Sequence, residues 1–252
     1  MKILLTGSGG MIGRAITDEI RNVLPNAEIY FFARTGANRK LDKSMSISES
    51  VLSPDSFDTV LHVGGPVNKK ERTQALSSFD AYVILTEKLM KSVKTGGTFI
   101  YFSSSQVYGK GGSARLPEMA ARLPETIGPD SYYSLSKICG EYVAQSRADV
   151  RAIILRVFHC LGPGLRIDDD RSFANIIFQA LNTKEITLDS TSSPAKSYMD
   201  SRDLASAVVK VMTHEKAKGI FNVGSDEPMT LLQFSRLVAH VTGAKVVKST
   251  KV

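Results

Sequence analysis

The chain has 252 residues, 42% apolar and 23% charged, the balance of a folded domain rather than of a disordered, collagen-like or coiled-coil chain. Its 32 basic against 25 acidic side chains leave a net charge of +7, which favours anionic partners such as phosphorylated metabolites. There is no Lys/Arg block for nucleic acid, no run near the ~20 apolar residues of a membrane span, and no apolar N-terminal run of signal-peptide length, so the expected compartment is the cytoplasm.

In chain order, Lys2–Thr6 reads as a strand and Met11–Val23 as an amphipathic helix. Glu28–Ala33 and Asp58–Val63 read as strands. Ala81–Val93 reads as a helix, with Leu85, Leu89 and Met90 at helical spacing. Thr98–Ser103 is a strand, Tyr133–Arg147 a helix and Arg151–Val157 a strand. These strands do not alternate apolar and polar residues, which implies burial on both faces of a parallel sheet. The order of elements predicts an α/β, doubly wound, Rossmann-like fold. After Gly162-Pro163-Gly164 the pattern loosens. Asp168 to Arg171 is a charged loop that opens a helix, and Ser190–Lys196 is loop-like. Asp203–Met212 and Leu231–Val241 read as helices, and Ile220–Val223 as a short strand. The expected division is a dinucleotide-binding region over 1–160 and a small, abbreviated substrate lobe over 161–252, interleaved rather than independent. Cys139 and Cys160 are too few for a disulfide scaffold and read as small buried side chains. The four histidines, His62, His159, His214 and His240, lack ligand spacing, so no metal site is expected.

Gly7, Gly10 and Gly13 follow the first strand as Gly-x-x-Gly-x-x-Gly and open the first helix. Glycine permits positive φ in such a turn and close approach of backbone to a pyrophosphate. The N–H groups of Met11, Ile12 and Gly13 then stand at a helix N-terminus, which carries partial positive charge. The strand–turn–helix context gives the motif its weight. The second strand ends Phe32-Ala33-Arg34-Thr35, without the acid that bonds a ribose 2′-hydroxyl in NAD sites. Arg34 offers a guanidinium to a 2′-phosphate instead, so NADP(H) is favoured over NAD.

Tyr133 and Lys137 stand at i and i+4, on one face of a helix. A tyrosine of pKa ~10 is a poor base at neutral pH, but a neighbouring ammonium stabilises its phenolate. It can then take a proton from a sugar hydroxyl or return one to a ketone. Strand Thr98–Phe102 runs into Ser103-Ser104-Ser105-Gln106-Val107-Tyr108-Gly109. Hydroxyls at the carboxyl end of a parallel strand face the cleft.

With these pieces together the chain resembles the extended short-chain dehydrogenases/reductases of the NAD-dependent epimerase/dehydratase family, which act on nucleotide sugars. The matching segments are the glycine turn, Ser-Ser-Ser-Gln-Val-Tyr-Gly, Tyr133-x-x-x-Lys137 with Glu141 following, Gly162-Pro163-Gly164, Ser197–Ala205 and Phe221–Gly224. The resemblance spans residues 2 to about 242. It implies Tyr133 as acid/base, Lys137 as its partner and holder of the nicotinamide ribose, and Ser104 as the catalytic hydroxyl, with Ser105 less favoured and set beside the substrate. It implies Gly64 and Gly65 beside the cofactor, where the family usually has two alanines. His159 stands for an asparagine that contacts substrate, Lys196 for an arginine that grips phosphates and Asp80 for an asparagine at the start of a helix. Ser105-Gln106 replaces the Asp-Glu that dehydration needs, so dehydration is disfavoured. Relatives usually continue beyond the position of Val252, which predicts a shortened substrate lobe. The expected activity is NAD(P)-dependent epimerisation or keto-reduction of a nucleotide-activated sugar, the missing acid tilting towards reduction. The alternatives are an NADPH-dependent reductase of a non-nucleotide carbonyl compound, or a non-catalytic dinucleotide sensor. The expected partner is a nucleotide sugar or another small anion, and homodimerisation is expected through Ala81–Val93 and Tyr133–Arg147.

Overall fold

In β1 (Lys2–Thr6) every residue from Ile3 to Thr6 is buried, so both faces of the strand must be covered. Ile3 and Leu5 enter one core with Ile16 and Ile20 of the first helix, while Leu4 enters a second core with Val60, Phe99 and Tyr101. The same split recurs where Ile153 and Leu155 face the first core and Ile154 the second. This is the burial pattern of a parallel sheet between two helical layers.

The computed structural model describes residues 1–32, 45–47, 52–66, 73–109, 116–120, 131–167, 171–188 and 193–248. After β1 come α1 (Met11–Val23), β2 (Glu28–Phe32), β3 (Met45–Ile47) and β4 (Phe57–His62). Next are α2 (Ala75–Phe79), a π turn (Asp80–Ile84), α3 (Leu85–Lys91), β5 (Val93–Ser104) and a 3₁₀ turn (Ser105–Tyr108). The chain continues with α4 (Tyr132–Val143), β6 (Arg151–Val157), β7 (His159–Leu161), α5 (Ser172–Asn182) and β8 (Glu185–Leu188). It closes with β9 (Tyr198–Asp200), α6 (Ser201–Thr213), β10 (Gly219–Val223), α7 (Leu231–Thr242) and β11 (Lys245–Lys248). The main sheet has the order β10-β6-β5-β4-β1-β2-β3, all pairs parallel. The chain leaves β1 towards β2 and returns on its other side as β4, so a crevice opens at the carboxyl ends of β1 and β4. A third core, built on Phe173, Ile176, Ile186, Tyr198 and Phe234, joins α5, α7 and the β8–β11 pair.

Several bounds differ from the sequence reading. The helix expected over Ala81–Val93 starts at Ala75 and stops at Lys91, and Val93 already belongs to β5. Its first turns carry Ser77, Ser78 and an 87% exposed Leu76, which break the apolar spacing and hide the start. Ser92 Oγ bonds back to Leu89 O at 2.7 Å and closes the end. The helix expected over Tyr133–Arg147 is α4, which ends at Val143, and Arg147 turns back to donate to Met90 O and Val93 O. The strands β7, β8, β9 and β11 have three or four residues each, too short for a periodic signal. Cys160 is buried as expected, whereas Cys139 is only half-buried, and both are free thiols. Among the described residues no helix is long and apolar enough to cross a membrane.

Candidate active site

The turn after β1 is shaped by the absence of side chains. Gly7 has φ +71°, and a Cβ on it would lie 2.7 Å from Gly64 Cα. A Cβ on Gly13 would lie 2.2 Å from Gly7 O, so helix and turn touch backbone to backbone. Gly10 N donates to Gly7 O at 3.0 Å, and α1 begins with no side-chain cap and no acid in its first turn. The N–H groups of its first turn lack intrahelical acceptors, and no capping side chain competes with an anion for them. This cradle, with no room for a Cβ at Gly7 or Gly13, fits a dinucleotide pyrophosphate.

Thr6 ties the turn to the neighbouring strand. Gly64 N donates to Thr6 Oγ1 at 2.8 Å, and the Thr6 hydroxyl lies 3.0 Å from His62 Nδ1. His62 Nε2 lies 3.0 Å from Ala81 O. A carbonyl only accepts, so Nε2 carries the proton and Nδ1 accepts from Thr6. Burial, then the charge of Lys137, lowers the His62 pKa to about 3, and the ring is neutral.

The crevice widens into a cleft of about 540 Å³. Along the chain, Met11, Ile12 and Gly65 supply the N-terminal end of its lining, Ser104, Ser105, Tyr133 and Lys137 the middle, and His159 and Lys196 the C-terminal end. Nine residues chosen from sequence thus line one space; Arg34 lies outside the described residues. Ser104 closes β5, and its Oγ accepts from Gln106 N at 3.2 Å, which leaves its own proton to donate. Lys137 is 4% exposed, and its Nζ donates to Phe102 O at 2.5 Å. Burial lowers its pKa to about 7, against the pull of Glu141.

Under this floor lies a buried ion pair. Arg156 of β6 donates through Nε to Glu141 Oε1 at 2.9 Å and through Nη2 to Oε2 at 2.7 Å. Ser103 Oγ donates to Glu141 Oε1 at 2.6 Å. Arg156 Nη1 reaches Tyr108 Oη at 2.9 Å and Glu118 O at 2.8 Å. Tyr108 donates to Asn222 Oδ1 at 2.7 Å, and Asn222 Nδ2 to Leu116 O at 2.7 Å. One network therefore joins α4, β5, β6, β10 and residues 116–120.

At the C-terminal end of the lining, Lys196 is fixed by a two-way backbone pairing with Met229, at 2.9 and 3.0 Å. His159 is paired with Tyr198 in the β7–β9 ladder, its ring 5.2 Å from the Tyr198 ring. Burial, then the charges of Lys196 and Arg171, lowers the His159 pKa to about 4. The ring is neutral at pH 7, and its buried Nδ1 has no partner among the described residues. Arg171, with its guanidinium carbon 4.8 Å from the Phe173 ring centroid, also lines this end. Sequence reading placed Arg171 in a charged loop; its signal was the position directly ahead of α5. Tyr82 and Phe173 were missed as well and line the cleft, as does Gln106, which the sequence placed beside the catalytic hydroxyl. Among the described lining residues the cations are Lys137, Arg171 and Lys196, and none is a carboxylate.

The model of the NAD dependent epimerase/dehydratase family matches residues 3–224. UDP-glucuronic acid decarboxylase 1 of Xenopus tropicalis is 24% identical over 264 aligned positions, which cover 96% of this chain and 61% of the relative; the chain spans about three fifths of that protein. Among solved structures, MoeE5 in complex with UDP-glucose and NAD has a TM-score of 0.81 at 21% identity, over 99% of this chain and 85% of that one. UDP-glucuronic acid 4-epimerase from Bacillus cereus, in complex with UDP-glucuronic acid and NAD, has a TM-score of 0.78 at 22% identity, over 99% and 85%.

Proposed function

The chain belongs to the NAD dependent epimerase/dehydratase family of enzymes, and from that premise we propose that it exchanges a hydride between a nicotinamide dinucleotide and a ring carbon of a nucleotide-activated sugar, with Tyr133 handling the proton. The observation that carries this reading is the lining of the cleft. Ser104, Tyr133 and Lys137 line it together with Met11 and Ile12, which open the helix after the glycine turn, and with Lys196 and Arg171.

The turn of Gly7, Gly10 and Gly13 with the first N–H groups of α1 would hold the pyrophosphate, and Gly64 and Gly65 would lie beside the nicotinamide half. When bound, the dinucleotide takes up and returns a hydride. The protein manages the proton. Lys137 Nζ stands 5.8 Å from the Tyr133 ring centroid, and its charge favours the phenolate. Tyr133 Oη takes the proton of a sugar hydroxyl as the carbon–hydrogen bond breaks and returns it when the carbonyl is reduced. Ser104 donates to the same oxygen and holds it in line. Lys196 and Arg171 offer the diphosphate two cations.

The cleft supports hydride exchange over elimination. Elimination across a carbon–carbon bond needs a second acid/base group, and Gln106 and the other described lining residues supply no carboxylate. The solved neighbours hold NAD, which supports NAD for this chain, while Arg34 is the residue that would favour NADP(H). A thermal-shift panel of NAD⁺, NADP⁺, NADPH, UDP, dTDP, GDP and CDP decides both points, since a ligand at a hundredfold excess over Kd stabilises by ~2.7 kcal/mol. The expected result is a rise with one dinucleotide and one diphosphate. Tyr133→Phe should keep both rises and lose ~10²–10⁴-fold in turnover. Turnover unchanged in that variant, or no diphosphate response, sinks the reading.

A further inference from the structure

After the Phe102 carbonyl, which accepts from Lys137 Nζ at 2.5 Å, the group that faces the ammonium most closely is an aromatic ring. Nζ lies 3.7 Å from the centroid of Tyr82, with Tyr101 at 5.1 Å and Tyr133 at 5.8 Å. Tyr82 sits in the π turn, 3% exposed. Such a turn interrupts the helical register and re-aims the side chains it carries. Here it directs Tyr82 to the cleft wall. The hydroxyl of Tyr82 donates to Pro66 O at 3.0 Å. Its carbonyl accepts from Thr86 Oγ1 at 2.7 Å and from Tyr101 Oη at 3.3 Å. Its ring meets the Tyr133 ring at 88°, with centroids 5.5 Å apart. A Cβ on Gly65 would lie 2.2–2.4 Å from the Tyr82 ring and hydroxyl. Glycine at 65 therefore gives the ring its seat. The ring is fixed from three sides before it touches Lys137.

We infer that Tyr82 is a positioning residue of the acid/base pair: its ring holds the Lys137 ammonium in its charged form by cation–π attraction, and packs at right angles to Tyr133 so that the two side chains keep their spacing. The Phe102 carbonyl and the Glu141 carboxylate act in the same sense, and the ring adds to them. From its own helix comes Glu141, whose carboxylate is already held by Arg156 of β6 and Ser103 of β5. From β5 comes Tyr101, whose phenol burial keeps neutral. From β4 comes His62, also neutral. Burial pulls the lysine towards its uncharged form, and a charge–quadrupole contact opposes that pull without adding a countercharge. The hydroxyl of Tyr82 is committed to Pro66, so Tyr82 does not compete with Tyr133 as the acid/base.

The catalytic meaning of this contact rests on Tyr133 and Lys137 being the reacting pair. The charge state of Lys137 does not, and it is measured on the full chain without substrate. Lysine labelled with ¹³C at Cε is titrated by NMR, with the Lys137 signal identified by its loss in Lys137→Arg. Tyr82→Phe should leave the midpoint in place. Phenylalanines with one, two and three ring fluorines at position 82 keep the shape and weaken the ring's attraction for a cation. They should lower the midpoint stepwise, to a total of roughly one pH unit, and Tyr82→Leu should lower it as far. A midpoint that stays constant across the fluorinated series overturns the inference. So does a fall in Tyr82→Phe as large as in Tyr82→Leu, which would assign the effect to the Pro66 bond. A stepwise fall in a protein that binds no nucleoside diphosphate would uphold the role of Tyr82 while removing the proposed substrate.

Discussion

The site joins two parts of different material, a backbone end and a side-chain end. At the β1 end, Gly7, Gly13 and Gly64 bring backbone within van der Waals range of backbone, and among the described residues no charged side chain takes part. At the side-chain end, Lys196, Arg171, His159 and Phe173 form the wall with their side chains. A backbone cradle has one shape and admits one kind of ligand, a pyrophosphate at a helix N-terminus. A wall of side chains can be rebuilt residue by residue, which is how one fold comes to serve many substrates. Between them, Glu141 and Arg156 support the catalytic floor and, through Tyr108 and Asn222, the segment 116–120.

That shared support is where the comparison can be broken most severely. Both side chains of the ion pair have 0% exposure. Arg156→Leu leaves Glu141 as a buried, uncompensated charge and should cost ~3–5 kcal/mol of unfolding free energy. Urea denaturation measures it. Replacing Glu141 by leucine as well should restore most of the loss, because the charge left behind is the larger part of the penalty. A loss below ~1 kcal/mol in Arg156→Leu, the range of an exposed pair, would show that the two ends stand independently of this pair.

Gly13→Ala attacks the backbone end alone. Its added carbon would meet Gly7 O at 2.2 Å, so α1 or the turn must move. The cost to the fold should be ~1–3 kcal/mol, the range for an overpacked site. The thermal shift with dinucleotide should vanish, while that with nucleoside diphosphate persists. Loss of both shifts would mean that the ends are coupled, against the comparison drawn here.

The same contrast explains what could be read from sequence. Gly7 and Gly13 are visible as letters because a close backbone approach excludes every other residue type. Tyr133 and Lys137 are visible because the helix fixes their spacing at one turn. The sheet was legible from unbroken apolar runs such as Ile3-Leu4-Leu5. Arg171 and Tyr82 were not, for physical reasons. Arg171 is one cation in a charged loop until α5 turns it to the cleft. Tyr82 faces Lys137 because of a π turn, and a shift of register inside a helix leaves no mark in apolar spacing. The start of α2 was hidden by its serines.

Smaller effects belong to the side-chain end. Lys196→Ala and Arg171→Ala should each weaken nucleoside diphosphate binding about tenfold, or ~1.4 kcal/mol, as read by calorimetry. Dinucleotide binding should not change. The loss should shrink at high salt, where partly exposed charges such as these are screened. If one variant abolishes binding while the other does nothing, the diphosphate has a single cationic partner and the wall is less divisible than its composition suggests.

The finest test lies at Gly9, within the same turn as Gly13. Among the described residues a Cβ there would meet nothing within 4 Å, and its φ is not positive. No described residue therefore requires glycine at this position. Gly9→Ala should stabilise the ligand-free chain slightly, by ~0.4–1 kcal/mol, because alanine has fewer unfolded conformations to lose. If the open space beside Gly9 is where the pyrophosphate lies, the same variant should shrink the dinucleotide thermal shift. Glycine at 13 would then serve the fold and glycine at 9 the ligand, two neighbours in one motif kept for different reasons. A stabilised variant with an undiminished dinucleotide shift would place the ligand elsewhere along the turn, nearer the N–H groups of Met11 and Ile12.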